Sequence, residues 1–144
     1  MISKSCKYGI RAVAFTASRA GDKRKLNVGQ IAKHIHAPQA FTAKILQSLA
    51  RHKIITSLKG PYGGFYMEKY QLELPLLNIV HAIDGLQVFN DCGLGLAQCS
   101  EKRPCPLHND YKVVRDRMLK MFNEITVKDL AQNIKRGTAF VNNL

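Results

Sequence analysis

Residues 27–67 read NVGQIAKHIHAPQAFTAKILQSLARHKIITSLKGPYGGFYM, and the order of signals in this stretch decides the fold. Asn27 suits an N-cap, and the run behind it predicts a helix over 28–35 with Ile31, Ala32 and Ile35 turned inward. His36-Ala37-Pro38 ends that helix, because the residue before a proline avoids helical geometry. A third helix of the chain is expected over 39–52, with Phe41, Ile45, Leu46 and Leu49 as its buried stripe. Two short helices joined by a tight break, the second carrying outward polar residues, match a helix-turn-helix. In that motif the N-terminal residues of the second helix lie near base edges in the major groove. Here they are Gln39, Ala40, Thr42, Ala43 and Lys44. A glutamine can read adenine and a threonine can touch a thymine methyl, so Gln39 and Thr42 are the candidate base readers. Lys44 and Arg51 suit phosphate, which positions a protein without specifying sequence.

Working outward toward the C-terminus, IITSL and FYM flank KGPYGG and predict a β-hairpin. Pro61 fixes the turn, and Gly60, Gly63 and Gly64 supply backbone angles that other residues avoid. A Gly-rich hairpin alone is weak evidence. Directly after a helix-turn-helix it reads as the wing of a winged helix. Lys59 at its edge can seek the negative potential of a narrow minor groove. Tyr62 and Gly63 in the turn, and Tyr8 in the first helix, complete the expected DNA-contacting set.

Toward the N-terminus, residues 4–20 predict a first helix with Ile10, Val13, Ala14 and Ala17 inward and Lys4, Lys7 and Arg11 on another side. Gly21-Asp22 breaks it, and Lys23, Arg24 and Lys25 form a basic turn. The charge is unevenly spread. Residues 1–69 carry 13 Lys and Arg against Asp22 and Glu68, whereas residues 70–144 carry 9 against 8. A positive field over one half of a chain attracts polyanions, of which nucleic acid is the commonest. A membrane surface would want a basic helix whose apolar face lies in the interface, but here that face is needed for the core. No stretch is long enough to span a bilayer and no secretory signal is read at the start, so a cytoplasmic location is expected.

The second half holds DCGLGLAQCSEKRPCPLH, residues 91–108, in which Cys92, Cys99, Cys105 and His108 stand in a turn-forming loop. Thiolates and imidazole suit zinc or an iron–sulfur cluster. The spacing is wider than the two-to-four-residue pairs of zinc sites, which leans toward a cluster. A thiol redox switch and inert thiols are the competing readings. His34, His36, His52 and His81 are scattered over helical segments and read as surface or core. An electron carrier would also use cysteine-bound iron, but needs neither a basic half nor a recognition helix.

Around that loop, residues 76–83 predict a short helix closed by Asp84-Gly85, and a long helix starts near Asn109. Tyr111, Val114, Met118, Met121 and Ile125 follow heptad spacing, which suits a dimer seam or packing on the chain's own domain. Thr126-Val-Lys-Asp129 resembles a capping box opening a last helix to about Ile134, and residues from Lys135 onward are expected to be loose. The fold expected is mainly α with a small β-hairpin: a winged helix-turn-helix domain over 1–75, a linker helix and cysteine-rich loop over 76–108, and a dimerisation helix with a C-terminal segment over 109–144.

YGIRAV near the start, the Ile31-Ala32 pair, KILQSL, KGPYGGFYM, the three-cysteine loop ending in CPLH, and ITVKDL together resemble the IscR/NsrR-type winged-helix regulators, the Rrf-two family. The resemblance covers essentially the whole chain. It implies a bacterial homodimeric transcription regulator on a pseudo-palindromic site in double-stranded DNA, with a [2Fe–2S] or [4Fe–4S] cluster that senses iron–sulfur, redox or nitric oxide status. By position it makes Cys92, Cys99 and Cys105 the cluster ligands and His108 the fourth. This sequence departs from the pattern in four places. The first cysteine gap is one residue longer than in the IscR type. Lys7 stands where the nitrosative-stress type has an aspartate ligand, with Cys6 beside it as another possible ligand. Ala43 replaces a frequent acidic residue, and Lys59 replaces an arginine, which is not equivalent in a narrow groove.

Overall fold

The structure is a computed structural model that describes residues 1–21 and 24–142. Asp22 and Lys23 of the expected basic turn lie outside the described residues, as do positions 143 and 144. The chain runs α1 (Lys4–Ser18), α2 (Val28–His34), α3 (Gln39–Arg51), β1 (Thr56–Leu58), β2 (Gly64–Tyr66), α4 (Lys69–Leu72), α5 (Leu76–Asp84), a 3-10 turn (Gln87–Phe89), α6 (His108–Glu124) and α7 (Val127–Lys135). It is mainly helical with a two-stranded antiparallel hairpin, the winged helix-turn-helix expected from the sequence. No described helix is long and apolar enough to cross a membrane.

Three helices, α1, α2 and α7, begin where a side chain satisfies a free N–H group. Asn27 accepts from the Gln30 N–H at 2.8 Å while the Gln30 side chain accepts from the Asn27 N–H at 2.9 Å. Thr126 and Asp129 form the same reciprocal pair at the start of α7, at 3.2 and 2.9 Å. Ser3 caps α1 by accepting from the Cys6 N–H at 3.0 Å. Ser3 is itself held from a distance: its N–H donates to Asp84 Oδ2 at 2.7 Å and its hydroxyl donates to Asp84 Oδ1. The end of α5 is thereby tied to the start of α1.

The wing pairs Thr56 with Tyr66, Ser57 with Phe65 and Leu58 with Gly64. Leu26 adds a bridge on the other side of β2, exchanging backbone bonds of 2.9 and 2.8 Å with Phe65. Gly64 has φ +144°, and a Cβ there would stand 2.8 Å from the Leu26 carbonyl oxygen. A Cβ at Gly63 would stand 2.0 Å from the Leu58 oxygen, so the turn closes only over glycine. Gln71 of α4 is buried and fully bonded: its amide donates to the Lys53 carbonyl at 3.0 Å and its carbonyl accepts from Glu68 N–H and Thr56 hydroxyl. This ties α4 to both the wing and the end of α3.

The core gathers Val13, Ile31, Ile35, Leu46, Leu49, Ile55, Ile79, Val80 and Val127 from helices on both sides of the wing. Burying a side chain of this size contributes about 1.5–3 kcal/mol. The last helix is part of this unit, since α7 packs along α1 and buries Val127 and Ala131. Two expectations are corrected here. Beyond Lys135, residues 141 and 142 are docked, not loose: the Val141 carbonyl accepts from Arg11 Nε at 2.8 Å and Asn142 donates to the His34 carbonyl at 2.8 Å. Arg11, placed on the basic side from sequence, turns inward for the same reason. Its guanidinium also donates to the Ile35 carbonyl, a helix-end acceptor without an intrahelical partner.

The Thr126–Asp129 cap yields a stability test. Thr126→Ala should cost about 1 kcal/mol in urea unfolding at neutral pH. The backbone N–H of Thr126, then its side chain, hold the Asp129 carboxyl below its ordinary value. Its contribution is therefore fully present above the unfolded-state value of about 3.9 and lost as pH falls through the lower folded value. The penalty of Asp129→Asn should accordingly shrink toward zero below that range; a penalty unchanged in acid would refute the cap.

Candidate nucleic-acid interface and cysteine loop

The third helix sorts its side chains by period. Ile45, Leu46 and Leu49 are buried, while Gln39, Ala40, Lys44, Gln47 and Arg51 are exposed and Ala43 is half-buried. Thr42 departs from the expectation. It is only 1 % exposed, and its hydroxyl donates to the Pro38 carbonyl at 2.9 Å, one turn back. The helical period turns it toward the core, so its side chain is not presented to a duplex. Gln47 takes its place on the open face. It stands seven residues from Ala40, a spacing that marks it as a face-mate and that the focus on the first turn passed over.

Tyr8 is half-buried and meets the Phe41 ring edge-on at 5.5 Å, with the Arg11 guanidinium 5.0 Å from its centroid. It braces α1 against the start of α3. At the wing, Tyr62 is 90 % exposed and Lys59 is exposed, while Gly63 is half-buried under the turn. Of the scattered histidines, His34 stacks on Phe15 at 3.8 Å. Burial, then Arg19, holds its imidazole below the ordinary value.

The cysteine loop brings its four candidate ligands together in two pairs. Cys92 Sγ lies 3.7 Å from Cys105 Sγ, and Cys99 Sγ lies 3.4 Å from His108 Nδ1. Two ligands on one tetrahedral ion, with metal–sulfur bonds of about 2.3 Å, stand about 3.8 Å apart, and a sulfur–nitrogen pair about 3.5 Å. Both pairs thus have the separation of neighbours on a metal. Among the described residues no three His, Cys, Asp or Glu side chains gather around a single point. The Leu94 N–H donates to Cys92 Sγ at 3.4 Å. Backbone N–H groups, Leu94 first and then Leu96, hold the Cys92 thiol below its ordinary range, which favours the ligating thiolate. Cys6 behaves oppositely: burial, then Asp84, pushes its thiol up to about 12. The donor set fits a thiolate–imidazole metal centre, and Cys6 is the cysteine least suited to join it.

The loop is seated on α6. A Cβ at Gly93 would lie 2.7–2.9 Å from the Tyr111 ring, so the backbone after Cys92 rests directly on that ring. Lys112 of α6 forms an ion pair with Glu101 in the loop. On α6 the inward residues are His108, Arg115 and Phe122, seven apart. The heptad stripe expected from sequence divides. Tyr111, Met118 and Ile125 are half-buried on their own chain, whereas Val114 is 62 % exposed and Met121 and Val113 are exposed.

A helix-turn-helix with a wing, in a chain whose basic half carries both, is the architecture of a DNA-binding transcription regulator. The chain belongs to the Rrf2 family: residues 2–133 match the family described as an iron-dependent transcriptional regulator. It is 28 % identical over 132 residues to an HTH-type transcriptional regulator of Aquifex aeolicus, covering 90 % of each chain. Its fold is shared with CymR, the global cysteine regulator of B. subtilis, at a TM-score of 0.75 and 17 % identity, covering 92 % of this chain and 96 % of that one. It is shared equally with T. potens IscR, at a TM-score of 0.74 and 14 % identity, covering 96 % and 91 %. The protein is a bacterial transcriptional regulator of this family.

Proposed function

We propose that the protein is a homodimeric regulator whose hold on promoter DNA is set by an iron–sulfur centre in the cysteine loop. The carrying observation is the pairing of Cys92 with Cys105 and of Cys99 with His108 at metal-neighbour separations. Two pairs, not one tetrad, suit a binuclear [2Fe–2S] centre in which each iron takes two protein ligands. Such a centre supplies a charge and a link that depend on oxidation state and on iron and sulfide supply. The chain's own contribution is the ligand set and the Leu94 N–H on Cys92, with α6 as the platform beneath.

Gln39, Ala40, Ala43 and Gln47 form the base-facing surface in this reading, with Lys44 and Arg51 on phosphate and Lys59 in the minor groove. Tyr62 and Gly63 place the wing turn there, and Tyr8 acts by bracing α3. The exposed row Val113, Val114 and Met121 makes α6 the dimer seam, since apolar residues at this spacing on an open helix face lower their free energy by pairing. Two protomers about a two-fold axis would set their recognition helices roughly 34 Å apart on a pseudo-palindrome. A second reading, switching by thiol oxidation without a cluster, draws on the same 3.7 Å Cys92–Cys105 separation. There the two thiols would lose two protons and two electrons to an oxidant such as a peroxide and form a disulfide. The first reading is preferred because it uses Cys99 and His108 as well.

Anaerobic reconstitution with ferric iron and sulfide should give a coloured protein with about two irons and two sulfides per chain. Cys92→Ala should abolish retention. A colourless, iron-free product would sink the cluster reading, and a mass two hydrogens lower in air, with Cys92 linked to Cys105, would favour thiol switching. In salt titrations of binding to labelled promoter DNA, Lys44→Ala should reduce the log–log slope by about 1. A slope like the wild type's would remove Lys44 from the phosphate contacts. Met121→Glu should convert a dimer to a monomer in sedimentation equilibrium, and a dimer that persists would place the seam elsewhere.

A further inference from the structure

We propose that Arg115 is the charge-compensating residue of the cysteine loop, a buried guanidinium that pins the loop's first turn to α6 and offsets the negative charge of a centre bound by Cys92, Cys99, Cys105 and His108. The inference rests on the iron–sulfur reading above. Arg115 sits in a helix stretch, KVVRDRM, that is charged on several sides, and an arginine there normally reaches solvent. Instead it is 8 % exposed, on the inward face with His108 and Phe122. Its Nη1 donates to the Asp91 carbonyl at 2.7 Å, one residue before Cys92. Its Nε is sealed from solvent and has no acceptor, and among the described residues no carboxylate forms an ion pair with it.

A guanidinium cannot shed its charge in a protein. A buried, unpaired cation with an idle donor is strongly unfavourable, and folds keep one where an opposite charge is to be met. The surroundings say which charge. Gly93 lies on the Tyr111 ring, one helical turn before Arg115, so the loop start and this stretch of α6 are in direct apposition. His108 is seven residues away on the same inward face. Thus Arg115 stands beside the entry of the loop that carries three thiolates. A diferric [2Fe–2S] core is +2, and three thiolates with a neutral imidazole bring the centre to −1. One electron accepted from a reductant brings it to −2. A fixed cation beside the loop favours both forms over the empty loop with its thiols protonated, and favours the reduced form more than the oxidised one.

The test compares wild type, Arg115→Gln and Arg115→Lys after anaerobic loading with ferric iron and sulfide. Two properties are read: the reduction equilibrium in a dithionite titration followed by absorbance, and the rate of iron loss to a chelator. Glutamine keeps a donor for Asp91 but removes the charge; lysine keeps the charge. Arg115→Gln should shift the equilibrium at least tenfold toward the oxidised form, about 59 mV for one electron. It should also lose iron severalfold faster, while Arg115→Lys stays near wild type. Failure of Arg115→Gln to load at all, with Arg115→Lys loading, would equally support the charge. Equal equilibria in all three proteins would overturn the inference while leaving the cluster standing. Loss of loading in both variants would reduce Arg115 to a packing role and overturn it too. A wild type that takes up no iron would overturn both the inference and the reading beneath it.

Discussion

The structure depends on how closely α1 is allowed to approach α3 and α5. Gly9 makes that approach. A Cβ there would lie 2.4 Å from Ile83 Cδ1, with Ile45 Cγ2 at 3.4 Å and Ile79 Cγ2 at 3.7 Å. A glycine inside a helix costs roughly 1 kcal/mol against alanine, and here that cost is offset by the packing of three helices at one point. Ile45 belongs to the recognition helix, and Ile79 and Ile83 to the helix that leads into the cysteine loop. The two parts of the molecule with chemistry to perform are therefore referenced to the same residue of α1.

A second tie reinforces that reference. Asp84, at the end of α5, holds both the N–H and the hydroxyl of Ser3, the cap of α1. Packed interiors change arrangement in discrete steps and do not deform continuously. A change in the loop that displaced the end of α5 would have to move α1, and with it the Tyr8–Phe41 contact that braces the recognition helix. The C-terminal helix closes the unit from the other side, with α7 along α1 and Arg11 clasping Val141 and Ile35.

Formal charge overstates the cationic surface. The first 69 residues carry 13 basic side chains, yet Arg11 is half-buried and spent on the carbonyls of Ile35 and Val141. Arg115 in the second half is buried. Exposed on and between the third helix and the wing are Lys44, Arg51, Lys53 and Lys59, side chains suited to phosphate contacts.

Local signals were sufficient for the hairpin and for every helix but α4 and the 3-10 turn. The Asn27 and Thr126 capping boxes, the break at Pro38 and the glycines of the wing each act over a few residues, and the structure places its helices and hairpin where they point. Positions set by one period were also readable, such as the Ile45, Leu46 and Leu49 stripe, and attention to the same period would have turned Thr42 inward and Gln47 outward. Only the tertiary structure decided the rest. It half-buried Arg11 and buried Arg115, docked Asn142 on the end of α2, and divided the α6 stripe into a covered row and an open one. It also sorted the four candidate ligands Cys92, Cys105, Cys99 and His108 into two pairs. Periodicity reports which side of an element is apolar, whereas the burial of a charged group depends on which carbonyl from a distant segment arrives beside it. That is fixed only when α1, α5 and α6 pack together.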